Sequence, residues 1–110
     1  MANTFKNNTL KAAGTSAQNA YVAGAGVSAT IIGMSIANMI TTPITASVFL
    51  SGGTITGNVF LVKDATIAPG GALVPVGGDQ KLVLEAGDYL QVNTSVASSV
   101  DVITSILEIT

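Results

Sequence analysis

The chain has 110 residues, the size of one ordinary domain, with 48% hydrophobic residues but only 9% charged ones. It contains no Cys, His, Arg or Trp, which excludes disulfides, thiolate or imidazole metal sites and histidine-based catalysis within these residues. Its four lysines, Lys6, Lys11, Lys63 and Lys81, are too few and too dispersed to neutralise a nucleic-acid backbone, and the net charge is −2.

Met1 to Lys11 is polar and lacks the apolar core of a secretory signal, so it reads as an extended arm or edge strand rather than a leader. Gln18 to Val22 is predicted as a first short strand. The Ala23-Gly24-Ala25-Gly26 run then separates residues 1–26 from a β-sandwich domain over residues 27–110. Val27 to Ile40 is the longest apolar-rich stretch. Ser28, Thr30, Ser35 and Asn38 interrupt it and it is too short to span a bilayer, so no membrane segment is expected.

Ser28 to Asn38 alternates as a strand, with Thr30, Ile32, Met34 and Ile36 on one face. Pro43 falls in the following connection, where a missing N–H does no harm. Ile44 to Leu50 alternates again, Ser51-Gly52-Gly53 reads as a turn, and Thr54 to Val62 as the next strand. Pro69-Gly70-Gly71 turns the chain into Ala72 to Val76, ended by Gly77-Gly78. Lys81 to Glu85 places Leu82 and Leu84 inward. Glu85-Ala86-Gly87-Asp88 then forms a tight turn in which Gly87 supplies a positive φ. Tyr89 to Thr94 points Leu90 and Val92 inward, and Val100 to Ile109 is the last strand.

That last strand is apolar on both sides: Val100, Val102 and Ile106 on one, Ile103, Leu107 and Ile109 on the other. A sandwich strand normally keeps one wet face, so the outer row implies an end strand tucked under a loop or a subunit contact. The expected fold is all-β, an antiparallel sandwich of jelly-roll type, with seven or eight short strands and an extended N-terminal arm.

The chemistry-bearing residues form no recognisable constellation. A Ser–Lys pair with Lys63 or Lys81 has no supporting spacing. The carboxylates Asp64, Asp79, Glu85, Asp88, Asp101 and Glu108 sit where turns and surfaces place acids, and a weak Ca²⁺ site at Asp79, Glu85 and Asp88 lacks any loop signature. Gly24, Gly26, Gly70 and Gly71 are not followed by the Lys-Ser or Lys-Thr and helix of a phosphate loop. Tyr21 and Tyr89 are a thin aromatic platform for a sugar. No catalytic residue, cofactor or metal site is assigned.

The stretches Asp79-Gln80-Lys81-Leu82-Val83-Leu84-Glu85-Ala86-Gly87-Asp88-Tyr89-Leu90-Gln91-Val92 and Ser99 to Glu108 resemble small virion structural proteins of tailed bacteriophages. The segment Thr30 to Asn38 and the turn Ile67-Ala68-Pro69-Gly70-Gly71 fit the same pattern. The resemblance implies a non-enzymatic particle component located in the virion. Its most specific form is a capsid decoration or cement protein on the major capsid protein, self-associating, with a trimer as one stoichiometry. A neck, tail, fibre or spike accessory protein is the alternative, and a lectin-like sandwich with a site around Glu85, Asp88 and Tyr89 is another. Low charge fits such a role, because few ionic groups are desolvated when the surface is covered.

Overall fold

The computed structural model describes residues 3–77 and 81–110. They form nine strands and no helix: β1 (Asn3–Ala13), β2 (Gln18–Val22), β3 (Ser28–Asn38), β4 (Ile44–Gly52), β5 (Val59–Ile67), β6 (Ala72–Val76), β7 (Leu82–Leu84), β8 (Asp88–Thr94) and β9 (Val100–Ile109). All pairings are antiparallel. One sheet runs β1-β9-β3-β6, with β7 beside β6 on the same edge of β3; the other runs β2-β8-β4-β5. The sandwich expected from the alternating pattern is present, with nine strands in place of seven or eight.

Of the paired strands only β4 and β5 are neighbours in sequence. Most other connections carry the chain from one sheet to the other, so each sheet is sewn together from distant segments. The enclosed layer between them holds Ile31, Ile36, Leu84, Leu90, Val92 and Ile106, all fully buried. Each such side chain contributes roughly 1.5–3 kcal/mol of transfer free energy.

Three strands depart from the expected arrangement. In β3 the ladder to β9 shifts between Ile31 and Gly33. The bulge moves the inward set from Ala29 and Ile31 to Met34, Ile36 and Asn38, and leaves Ile32 out of the core. The expected single face of Thr30, Ile32, Met34 and Ile36 is therefore divided. The strand expected at Thr54 to Val62 starts instead at Val59, the partner of Leu50, and continues through Ile67. Residues 53–58 are a loop because Asp88 binds the backbone N–H and hydroxyl of Thr54, which pulls Thr54 out of the ladder. A bulge with Asp64 at a φ of 53° then lets β5 run on past Lys63. The third departure is β9. It is no end strand: it lies between β1 and β3.

Residues 3–26 contribute one strand to each sheet. β1 is the edge strand beside β9, and β2 the edge strand beside β8.

Two polar corners close the ends. Asn38 is buried; its Nδ2 donates to the carbonyls of Thr42 and Ile67, each at 3.0 Å, and its Oδ1 accepts from Ile40 N–H at 3.0 Å. At the other end Gly87, with a φ of 90°, donates its N–H to Ala23 O at 2.9 Å and accepts from Gly53 N–H at 3.2 Å. The positive φ expected of Gly87 is what aims these groups.

Thr104 is the exception to this satisfaction. It points into the core from β9, and its hydroxyl meets no hydrogen-bond partner among the described residues. Thr104→Val keeps the branched shape and removes the stranded hydroxyl. It is expected to raise the unfolding free energy by about 1 kcal/mol in a denaturant titration. A lower midpoint would mean that the hydroxyl is bonded after all.

Candidate assembly surface

The two outer faces of the sandwich differ in chemistry. On the β2-β8-β4-β5 sheet, period two turns Tyr89, Gln91 and Asn93 outward, as expected from the sequence. Gln91 Nε2 donates to Asn19 Oδ1 at 2.9 Å, so amides pair across this surface. Its central apolar pair is closed on itself: Phe60 stacks at 5.0 Å on Phe49, and Lys63 Nζ lies 5.3 Å from the Phe60 ring centre, while Val22 and Val59 are exposed on its two edge strands.

The outer face of the β1-β9-β3 sheet carries protruding apolar side chains among neutral polar ones such as Asn7, Thr9, Ser35 and Ser105. The register sets Phe5 against Leu107, Leu107 against Thr30, and Thr30 against Val83, a continuous row across four strands. Phe5 is 74% exposed and Val83 68%. Ile103 is 52% exposed between Thr9 and Ser35, and Ile109 is half-buried. The bulge adds Ile32 to a hollow of about 230 Å³ lined also by Phe5, Lys6, Asn7, Ser105 and Ile106. A second hollow of about 290 Å³ lies beside Ile103, and Lys11 and Asp101 bring charge to that end. Protruding apolar side chains thus alternate with hollows. The sequence pointed to this surface through the outer row of β9. It missed Phe5 and Ile32, because the first needs the β1 pairing and the second needs the bulge.

The size is appropriate for an interface. Ten residues of β9 extend about 34 Å, and four strands abreast span about 19 Å, giving roughly 650 Å² before side-chain relief is counted. A standard interface takes about 800 Å² from each partner.

Several ionisable residues serve the fold. Asp88 is 2% exposed. Its Oδ1 accepts from Thr54 N–H at 2.8 Å, and its Oδ2 from Thr54 Oγ1 at 2.6 Å and Glu85 N–H at 3.1 Å. Those bonds, the Thr54 hydroxyl first, hold its carboxyl below the ordinary aspartate value and outweigh its desolvation. The carboxylate is spent on the loop, so Glu85, Asp88 and Tyr89 do not form an open sugar or cation site. Asp64 N–H donates to Ser47 Oγ at 2.9 Å, and Asp101 Oδ1 accepts from Ala12 N–H at 2.9 Å. Asp79 lies outside the described residues. Among the described residues, no three acids stand together as metal ligands.

Tyr21, Glu108 and Lys6 join the sheets at the β1–β2 side. Tyr21 Oη donates to Glu108 Oε2 at 2.5 Å, and Lys6 Nζ lies 3.5 Å from the same oxygen. Burial first, then the hydrogen bond and charge of Glu108, push the Tyr21 hydroxyl above its ordinary range, so it remains a neutral donor. Tyr21 is therefore a core residue, not a sugar platform.

No helix of the described residues is long and apolar enough to cross a membrane. No protein-family profile matches the chain, and no curated protein gives a significant match. A solved structure from Bacillus endospore appendages, described as forming a family of disulfide-linked pili, superposes with a TM-score of 0.58 at 14% identity. The match covers 99% of this chain and 87% of the other. The likeness is one of fold: a small all-β sandwich, with nothing particular to phage particles. The disulfide linkage of those pili has no counterpart in these 110 residues, which contain no cysteine.

Proposed function

We propose that the chain is a non-enzymatic structural subunit that assembles with further copies of itself, or with a neighbouring coat subunit, through the outer face of the β1-β9-β3 sheet. The observation that carries this reading is the contrast between the two faces. On one, amides pair and a phenylalanine stack is closed by a lysine; the other carries exposed Phe5, Val83 and Ile103 around half-buried Leu107, beside two hollows. Contiguous apolar area of this kind marks an interaction site on a soluble domain. Among the residues lining its two hollows, covering it desolvates the charges of Lys6, Lys11 and Asp101.

The setting is a narrower proposal. The phage-particle resemblance of the sequence supports decoration of a head surface built by a major capsid protein, with neck, tail or fibre as the alternative. The pilus-like fold supports a self-assembled appendage. In both settings the same sheet face is covered.

The test is the particle mass of the purified chain by light scattering over a hundredfold concentration range, with electron microscopy of the concentrated sample. Oligomers or filaments are expected, or stoichiometric attachment to coat shells. A monomer of 11.0 kDa at every concentration, with no affinity for such shells, would overturn the proposal.

A further inference from the structure

We infer that residues 3–10 of β1 are an exchangeable strand: in an assembly they leave their own subunit and pair with β9 of a second copy of this chain. The inference deepens the assembly reading above and rests on it.

β1 is attached to the body differently from every central strand. Its ladder to β9 runs without irregularity from Asn3 opposite Ile109 to Leu10 opposite Val102. The alternation gives its inward side to Thr4, Lys6, Asn8 and Leu10, and only Leu10 packs against the core, partly buried. The rest of the attachment is polar. Asn8 Nδ2 donates to Ala20 O at 3.2 Å, Lys6 faces Glu108, and Ser105 Oγ donates to Asn7 Oδ1 at 3.0 Å. Releasing residues 3–10 opens little of the apolar layer.

The strand also ends in a pivot. The ladder breaks between Leu10 and Ala13, and there Ala12 holds a φ of 54°, a left-handed conformation that a residue with a Cβ rarely adopts. Immediately beyond, the chain is clamped. Ala13 O accepts from Ser99 N–H at 3.0 Å and Gly14 O from Thr94 N–H at 2.9 Å. Gly14 is packed so closely that a Cβ would lie 2.7 Å from Ser98 N. A strained pivot thus joins a fixed clamp to a peripheral strand. Returning Ala12 to the extended region gives up its N–H bond to Asp101 Oδ1, relieves the backbone strain and swings residues 3–10 off the body. Strain in a short hinge favours exchange between identical chains.

The occupant follows from the register. The vacated edge of β9 presents Glu108, Ser105 and the backbone of residues 102–109, and a second β1 meets all of them with the same Lys6, Asn7 and pairing. The closed and exchanged forms make the same contacts, so the pivot and the local subunit concentration decide between them. Each exchanged strand ties one subunit to the next without a disulfide.

The absence of cysteine makes disulfide trapping clean. Asn7 and Ser105 are directly opposite in the ladder, a separation of about 4.5–5.5 Å that a disulfide fits. The single variants Asn7→Cys and Ser105→Cys are mixed in equal amounts, assembled and oxidised, and the linked peptides are identified by mass spectrometry. Exchange predicts that a 7–105 link between chains becomes the main disulfide product, and that the double variant gives covalent chains longer than a dimer. If assemblies form but the mixture gives no 7–105 link, while the double variant closes only within its own chain, exchange is wrong and the assembly reading stands. A sample that is monomeric throughout overturns both.

Discussion

Asp88→Ala is expected to lower the unfolding free energy by about 2–4 kcal/mol, because it removes three charge-assisted hydrogen bonds and leaves their donors facing a cavity. The carboxylate fastens the loop after β4, through Thr54, to the turn before β8, through Glu85. The glycines beside it show how tightly the corner closes. A Cβ on Gly52, whose φ is 129°, would lie 2.5 Å from Gly87 O and 2.6 Å from the Asp88 Cα. Asp88→Asn separates charge from shape. Its amide presents one oxygen to Thr54 N–H but sets an N–H₂ against the Glu85 N–H, a donor facing a donor, so it recovers only part of the loss. The pH dependence has a definite sign. The carboxyl is held below its ordinary value of 3.8 in the folded chain, so its contribution is complete above about pH 4–5 and is lost as pH falls through the lower folded value. Denaturant midpoints of the natural chain should fall in acid below about pH 4, and the Asp88→Asn variant should show a shallower fall over the same window. Equal slopes would mean that Asp88 is not held as an anion.

The sandwich was legible because alternation is a direct record of burial. Leu90 and Val92, Leu82 and Leu84, and Val100, Val102 and Ile106 turn inward as their spacing requires. Register was not legible at bulges. A bulge at Ile32 changes which residues face inward; its sequence mark is Gly33 inside the strand, masked because Ile31 and Ile32 are equally apolar. Asp64 at positive φ hides the continuation of β5 in the same way, since an acid after a strand reads as its end. The role of Asp88 depended on Thr54, which is 34 residues away and reached through the fold alone. The candidate surface was half visible. The outer row of β9 showed that something must cover it, but only the β1-β9-β3 order places Phe5 and Val83 in the same row.

The same face gives the second large effect. Ile103→Lys puts a charge on the proposed interface while leaving the subunit intact. The side chain is already 52% exposed, so the monomer should keep its stability to within about 0.5 kcal/mol. In the assembly the ammonium would be covered by the partner, above Thr9 and Ser35 of its own sheet. Burying a charge there, with Asp101 of the same hollow as its nearest counter-charge, is expected to cost about 3 kcal/mol, which weakens association by about a hundredfold. Gln91→Lys adds the same charge to the opposite, polar face and should leave association unchanged. The comparison therefore separates a specific face from a general effect of net charge, since both variants move the net charge of −2 by the same amount. Sedimentation velocity on the two variants reads the difference directly. Equal weakening would assign the effect to long-range repulsion, and equal retention would place the contact on another surface.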